Sequence, residues 1–408
     1  MKTNFEQIDN NTYVLDGEFG IKINANNLKN IAKQVRKNSL KNNQPITIGS
    51  DNNAICTRAQ SIIYNYLSDC DVYSARDITL DEIKYIAVHK NSICIYLQYK
   101  DNNMRIYIVD CNNSKYYIKN ENFDNNVSIS ACEKLNRNYY ILGLYNRLQL
   151  KKIDLHKISV SVFTDIDHSF YKNLFKKLKV NADIYPICEF HKTKSNVNFV
   201  IDDNELKIYN DKMKLVDNGD LACLFMDYYS ANSDAEGVII KSIKVNDKIK
   251  TMTNDVIECN DEELCEYSNN YNYLMVISNK NILFKDYKYV DNISTILHLL
   301  KVLAYYKKPL SKLLNYTYKQ QCITKTIAIN NVNHIKRAMN ERFPKFVFRV
   351  DRANIGSANK YYFDNGSSLL LEIQDNNAII TALFPTEIEC ERVIKSMEEF
   401  IAKYDTLN

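Results

Sequence analysis

Residues able to do chemistry fall into a few short clusters in this 408-residue sequence. Asp202-Asp203-Asn204-Glu205 sets three carboxylates within four positions. A hard divalent cation takes several oxygen ligands, with carboxylates supplying the charge, so Asp202, Asp203 and Glu205 are candidate ligands for such a cation. Asp-Asp-Asn between two apolar strands also reads as a polar hairpin turn, and that is the preferred reading. Asp165-Ile166-Asp167-His168 is the densest other polar cluster, and a strand-to-helix turn with an N-cap accounts for it. Cys259 and Cys265 flank Asp261-Glu262-Glu263, where a catalytic thiol would want a basic neighbour rather than acids. None of the six histidines (His89, His156, His168, His191, His298, His334) forms HxH, HExxH or a pair with cysteine at ligand spacing. His298, on an apolar helix, reads as a core residue. No P-loop, dinucleotide fingerprint, kinase signature or hydrolase elbow is present.

Composition narrows the classes further. Glycine occurs 8 times and proline 5 times, against roughly 29 and 20 at average usage. Tyr reaches 30 and Trp is absent, the bias of an AT-rich coding sequence. Loops that cradle phosphate need close approach of backbone N–H groups, which glycine permits. This chain has little glycine from which to build them. Eleven cysteines without a CxxC pair read as reduced thiols of a cytoplasmic protein, not as a disulfide framework or zinc site. The net charge is +4. Lys172, Lys176, Lys177 and Lys179, then Lys307, Lys308 and Lys312, and Lys336 with Arg337, sit beside apolar residues at helical spacing. They read as solvated helix faces, so a nucleic-acid partner is disfavoured. No apolar run approaches the ~18–20 residues that cross a bilayer, so no membrane span is expected. Met1–Phe5 lacks an apolar core segment, so no secretory signal is expected either.

The elements follow from periodicity. Leu28, Ile31, Ala32 and Val35 predict an amphipathic helix, Pro45–Gly49 a buried strand, Thr57–Leu67 a second helix and Cys70–Tyr73 another strand. Tyr85–Val88, Ser92–Leu97 and Met104–Val109 read as three strands in close succession. The β/α alternation restarts with the strand Lys157–Phe163, the helix Phe170–Leu178, and the strands Val197–Ile201 and Glu205–Tyr209. A helix is placed near Leu221–Tyr228. A third unit has strands at Gly237–Ile243, Tyr273–Ile277 and Asn281–Phe284, then the helix Ile293–Tyr305 stopped by Pro309. The last unit has a helix Val332–Phe343, strands at Val347–Val350, Tyr361–Phe363, Leu369–Ile373 and Ala378–Leu383, and a helix from Thr386 to Lys403.

This order resembles the α-D-phosphohexomutase family (phosphoglucomutases, phosphomannomutases and phosphoglucosamine mutases). Phe19-Gly20-Ile21-Lys22 looks like a shortened form of its opening Phe-Gly motif, and Ile48-Gly49-Ser50-Asp51 like its Gly-x-Asp strand end. Val290-Asp291-Asn292-Ile293, with the helix ending at Lys308-Pro309-Leu310-Ser311, looks like the end of its third domain. Phe363-Asp364-Asn365-Gly366-Ser367-Ser368-Leu369 through Ala402 looks like its last domain. The resemblance implies an α/β chain with three similar α/β domains of mixed sheet, at 1–150, 151–235 and 236–325. A smaller α+β C-terminal domain follows at 326–408, all around a central cleft.

The resemblance also implies four catalytic loops, and each departs from the family pattern. Gln98 stands near the phosphoryl-carrying serine, and an amide cannot carry that group; Ser92 lies too early, inside the strand. Val200-Ile201-Asp202-Asp203-Asn204-Glu205 stands where Asp-Gly-Asp-x-Asp-Arg would hold Mg²⁺, without its glycine, its arginine or its alternation of carboxylates. Val276-Ile277-Ser278-Asn279-Lys280 replaces the sugar-binding Gly-Glu-x-Ser-Gly-His and lacks the glutamate and both glycines. Glu372-Ile373-Gln374-Asp375-Asn376-Asn377-Ala378 replaces the phosphate grip, shortened to a hairpin, with an acid near the arginine position. The expectation is therefore a pseudoenzyme without catalytic residues, cofactor or metal, serving as a cytoplasmic binding or structural component with a protein partner. Self-association stays open. The alternative is a diverged, Mg²⁺-dependent sugar-phosphate mutase using Asp101 with Lys100 or Arg105; a nucleic-acid-binding protein ranks third.

Overall fold

The computed structural model describes residues 3–9, 11–51, 53–67, 69–112, 116–118, 132–134, 138–150, 153–165, 168–202, 205–232, 236–285, 291–314, 321–341, 350–355, 358–363 and 367–405. The first stretch contains β1 (Thr3–Asn4), β2 (Glu6–Asp9), β3 (Thr12–Glu18), α1 (Ala25–Asn42), β4 (Ile46–Ser50), α2 (Ala54–Tyr64), β5 (Val72–Arg76) and α3 (Leu80–His89). It continues through β6 (Ile93–Lys100), β7 (Asn103–Val109), β8 (Tyr117–Ile118), β9 (Cys132–Lys134) and α4 (Asn138–Arg147). Next come β10 (Ser159–Thr164), α5 (His168–Leu178), β11 (Asn181–Tyr185), β12 (Val197–Asp202), β13 (Glu205–Asn210) and α6 (Asn218–Ala231). The third stretch has β14 (Val238–Ser242), β15 (Val256–Cys259), α7 (Leu264–Asn270), β16 (Tyr273–Ile277), β17 (Ile282–Phe284), α8 (Asn292–Tyr306) and α9 (Leu310–Leu313). The last has β18 (Gln321–Ala328), α10 (Val332–Glu341), β19 (Val350–Ile355), β20 (Ala358–Phe363), β21 (Ser368–Gln374), β22 (Asn377–Phe384) and α11 (Glu387–Asp405).

One four-strand order recurs three times. Within the seven-stranded sheet it is β5-β4-β6-β7, then β11-β10-β12-β13, then β15-β14-β16-β17. Each time the first strand of the set is flanked in parallel by the second and third. The fourth sheet, β18-β22-β21-β20-β19, is antiparallel throughout. Three similar α/β layers and a different α+β layer are thus present, as the periodicity predicts. By contacts the chain divides into two compact units, Met1–Lys207 with Asp286–Lys307, and Ile208–Lys285 with Lys308–Asn408.

In the first unit, Leu28, Ile31, Ala32 and Val35 of α1 and Cys56, Ala59 and Ile63 of α2 pack on one sheet face with Ile46, Ile48, Ile93, Ile95 and Leu97. Side chains cap both helices at their starts, Asn24 on Asn27 N–H and Asn53 on Ile55 N–H. The opposite face is covered by α3, and here the sequence reading is corrected. Tyr85–Val88 lies in that helix, not in a strand. Thr79 and Glu82 form a capping box, with Thr79 Oγ1 accepting from Glu82 N–H and the Glu82 carboxylate accepting from Thr79 N–H. Every residue from Leu80 to Ala87 except Asp81 is buried, so no polar face interrupts the apolar run and periodicity cannot separate helix from strand. The topology also demands a crossover, because β5 and β6 both run parallel to β4. Gly49 lets α3 approach closely, since a Cβ there would clash with the Ile83 side chain. The predicted helix end at Pro309 holds: α8 stops at Tyr306, with Lys307 left-handed at φ 53°. Val347–Arg349 and Phe343 lie outside the described residues.

Two carboxylates meet at the start of α8. Asp291, 2% exposed, caps the helix through Ser294 N–H at 2.9 Å and accepts from Tyr140 Oη at 2.9 Å. Asp81 accepts from the N–H groups of Asn292 and Ile293, with Lys84 nearby. Burial, then the Asp81 charge, pushes Asp291 up to about 8, and burial raises Asp81 as well.

The second unit holds an ion cluster. Lys241 of β14 and Lys360 of β20 are both fully buried. Lys241 Nζ lies 3.0 Å from Asp247 Oδ1 and 2.8 Å from Glu258 Oε1; Lys360 Nζ lies 2.9 Å from Asp247 Oδ2 and 2.9 Å from Glu258 Oε1. Lys360 also donates to Ile243 O and Lys241 to Val245 O. Tyr362 Oη donates to Glu258, and Lys250 pairs with Glu258 while lying 4.4 Å from the Tyr362 ring centroid. Burial alone would raise Glu258, but the charges of Lys241, Lys360 and Lys250 outweigh it and hold the carboxyl well below its usual range. Beside the cluster, Ile243 packs on Ala358 and Leu370, and Lys244 pairs with Glu372 at 3.2 Å. These contacts fasten the β14–β15 segment to one face of the C-terminal sheet. The other face is covered by α10 and α11.

Removing one partner of a buried pair leaves an uncompensated charge, so Lys360→Met is expected to destabilise the second unit by about 3–5 kcal/mol. Adding Glu258→Gln to Lys360→Met should cost much less than Glu258→Gln alone, a coupling read by urea unfolding of the four chains. The two units should also respond to pH with opposite signs. Asp291 holds its proton more tightly folded than unfolded, so its contribution to the first unit falls as pH rises from the ordinary carboxylate range to about 8. Glu258 is depressed when folded, so its contribution to the second unit is present above the ordinary range and lost in acid. Hydrogen exchange of each unit across pH checks both signs, and Asp291→Asn, which retains a capping oxygen, should flatten the alkaline loss.

Candidate functional site

Gln98, Lys100, Asp101 and Arg105, singled out by the sequence, lie on the β6–β7 hairpin of the first unit. Cross-strand pairs run from Cys94↔Val109 to Lys100↔Asn103, closed by Asp101 and Asn102. Both turn residues are left-handed, at φ 52° and 66°, the geometry of a two-residue hairpin that usually takes Asn-Gly or Asp-Gly. Asp51, just after β4, holds β6 close to the hairpin's turn. Its Oδ2 accepts from Tyr99 N–H at 2.8 Å and its Oδ1 from Asn53 N–H at 3.1 Å.

Gln98 is buried in this hairpin, 9% exposed, and its Oε1 accepts from Tyr107 Oη at 3.3 Å. Lys100 reaches out of the hairpin to β12, where its Nζ lies 2.9 Å from Asp202 Oδ1. Both side chains keep substantial exposure, 39% and 56%. Two residues 102 positions apart in sequence are thus brought together. Glu205 is not gathered there by any ion pair to the hairpin; its carboxylate lies 3.6 Å from Lys207 Nζ. Asp203 is outside the described residues. Arg105 faces Asp16 across the β3–β7 ladder, with Nε 3.0 Å from Asp16 Oδ2. Of the alternative's basic residues, then, Lys100 is committed to Asp202 and Arg105 to Asp16.

A hard dication bound through Asp202 would need that carboxylate free of a competing cation and joined by further oxygen donors. Lys100 supplies the competing cation, and no group of three or more His, Cys, Asp or Glu able to hold a metal occurs among the described residues. The described residues around Asp202 thus do not make up a set of donors for a dication.

The remaining candidates settle into structural roles. Ser278 closes its own turn, accepting from the N–H groups of Lys280 and Asn281, and Asn218 Nδ2 donates to Ser278 O and Asn279 O. Glu372 lies in β21 and pairs with Lys244, while Gln374↔Asn377 closes a tight hairpin with Asp375 left-handed. Asp165 Oδ1 accepts from Ile187 N–H and His168 bonds Thr164 O at 2.6 Å, while Ile166 and Asp167 of that cluster lie outside the described residues. Burial, with Glu263 and Asp261 adding to it, pushes the Cys259 thiol up to about 12, the opposite of activation. His298 is buried on α8, where burial lowers it to about 3 and keeps it neutral. Sequence reasoning missed the clusters around Lys241 and Asp291. A lysine inside the run Val238-Ile239-Ile240-Lys241-Ser242-Ile243 was the available clue, because an apolar strand tolerates a charge only when it is paired.

No family model matches the sequence, and none of the curated proteins compared with it does. Solved structures do match in fold. A phosphoglucomutase/phosphomannomutase family protein from Burkholderia thailandensis superposes with TM-score 0.73 at 12% identity, over 96% of either chain. A putative phosphomannomutase from Thermus thermophilus gives 0.69 at 9% identity, over 98% of this chain and 100% of that one. N-acetylphosphoglucosamine mutase from Aspergillus fumigatus gives 0.59 at 10% identity, over 89% of this chain and 77% of that one. At such identities the likeness is one of architecture: this chain has the multidomain α-D-phosphohexomutase fold.

Proposed function

We propose that this chain is a non-catalytic protein on a phosphohexomutase scaffold, working in the cytosol as a binding or structural component with a protein partner. The observation that carries the reading is the Lys100–Asp202 ion pair. On the likeness to the mutases, Asp202 belongs to the stretch that would hold the divalent cation, and an ammonium group already lies 2.9 Å from it. Gln98 supports the same reading, since the side chain near the nucleophile position is a buried amide bonded by Tyr107. Tight hairpin geometry at Gln374–Asn377, with Glu372 beside it paired to Lys244, leaves no arginine there to take a phosphate. No helix among the described residues is long and apolar enough to cross a membrane.

The test is an assay of the purified chain with Mg²⁺ for interconversion of glucose 1-phosphate and glucose 6-phosphate, together with a thermal melt in glucose 1,6-bisphosphate. No turnover and no shift in the melt are expected. A ligand of the folded state present at a hundred times its Kd would add about 2.7 kcal/mol, a shift of several degrees. Turnover that disappears in Asp202→Ala would overturn the proposal.

A further inference from the structure

The first turn of α8 presents its N–H groups to two carboxylates. Asp81 of α3 accepts from Asn292 N–H and Ile293 N–H, and Asp291 Oδ1 accepts from Ser294 N–H at 2.9 Å. Consecutive donors of one turn therefore draw both carboxyls to the same helix end. Asp291 Oδ1 also accepts from Tyr140 Oη of α4, while Asp291 Oδ2 is buried without a hydrogen-bond partner. Few other charges face the pair. α3 supplies the buried ammonium of Lys84 and the buried carboxylate of Glu82, which caps its own helix at Thr79. α4 supplies the phenol of Tyr140, with the Tyr85 ring of α3 at 5.2 Å from it. His298, further along α8, is neutral. The helix end and Lys84 favour one negative charge here, but a second beside it is repelled and poorly hydrated.

We propose that Asp81 and Asp291 share one proton, carried on the otherwise unbonded Oδ2 of Asp291, and that this proton holds α8 on α3 and α4. With the proton in place, the pair bears a single charge that the helix end and Lys84 compensate. Without it, two like charges abut away from water and drive the first turn of α8 from α3. More than one helix is held in this way. The chain enters the second unit at Ile208, and Asp286–Lys307 is the segment by which it returns to the first. The grip of the first unit on that returning segment is thereby set by pH. This latch needs both carboxyls, and it is independent of whether the chain turns over a sugar phosphate.

Hydrogen exchange of the full chain reads the latch at the amides of Asn292, Ile293 and Ser294. The closed state binds the shared proton more tightly than the open one, so opening becomes easier as pH rises and levels off once the closed pair is itself ionised. From about pH 6 to about pH 8, protection of these amides should fall by about tenfold per pH unit beyond the intrinsic dependence of exchange, and then stay level. Asp81→Asn and Asp291→Asn each keep an oxygen for the N–H groups and leave one carboxylate of the pair facing Lys84, so each should flatten that slope. The infrared spectrum of the wild-type chain at neutral pH should contain a protonated-carboxyl band that each variant loses. A slope that persists in Asp81→Asn would assign the proton to Asp291 alone and overturn the proposal. A wild-type chain with no protonated carboxyl at neutral pH overturns it as well.

Discussion

Lys241 and Lys360, two lysines with no solvent exposure, share the carboxylates of Asp247 and Glu258. Taking an ion out of water costs several kcal/mol even after relaxation, and mutual attraction offsets this only where the geometry satisfies every group. Buried charges are therefore intolerant of displacement in a way that the neighbouring apolar contact of Ile243, Ala358 and Leu370 is not. A sheet sliding on apolar side chains alone has many near-equivalent seats. A sheet that must deliver Lys360 Nζ to two carboxylates and to Ile243 O has one. The cluster fixes how the C-terminal sheet meets the β14–β15 segment, and Tyr362 and Lys250 close it on its more exposed side.

Scarcity of glycine is the second constraint. Eleven non-glycine residues among the described ones take positive φ, and seven of them are Asn or Asp. Their short polar side chains tolerate the left-handed region through local hydrogen bonds. That substitution serves at turns such as Asp101-Asn102 and at the helix end Asn43. It does not serve where a ligand must approach bare backbone, because the side chain itself occupies the space. On the proposed reading, a composition of this kind keeps a large α/β architecture while the stretch likened to the family's phosphate grip closes as a hairpin at Gln374–Asn377.

How far the sequence could be read follows from the same physics. Helices with a clean polar face, α1 and α5, were legible because Leu28, Ile31, Ala32 and Val35, or Phe170, Leu174 and Leu178, recur at helical spacing. α3 was not, because nearly all of it is buried and only the capping pair Thr79 and Glu82 marks its start. Strands β11 and β15, half-exposed edges of their sheets, carry too little apolar pattern to stand out. At the candidate site, the identities of Gln98 and Asp202 were legible, but the Lys100–Asp202 pair was not. It joins β6 to β12, and no local pattern reports a contact between residues so distant in sequence.

Fixed ionic docking and the loss of phosphate-gripping loops belong together on the proposed reading. When a ligand binds between parts of a protein, its differential affinity can favour a closed arrangement, and the open state must then remain accessible. A protein that no longer draws on such a ligand needs its own contacts to select one arrangement. Lys244 illustrates the exchange: it pairs with Glu372, in the stretch likened to the family's phosphate grip, at 3.2 Å. A carboxylate there would repel a phosphate, yet within this chain it supplies a counter-charge to the neighbouring segment. The residue that removes one binding interaction thereby makes a structural one, and both consequences follow from the sign of a single charge.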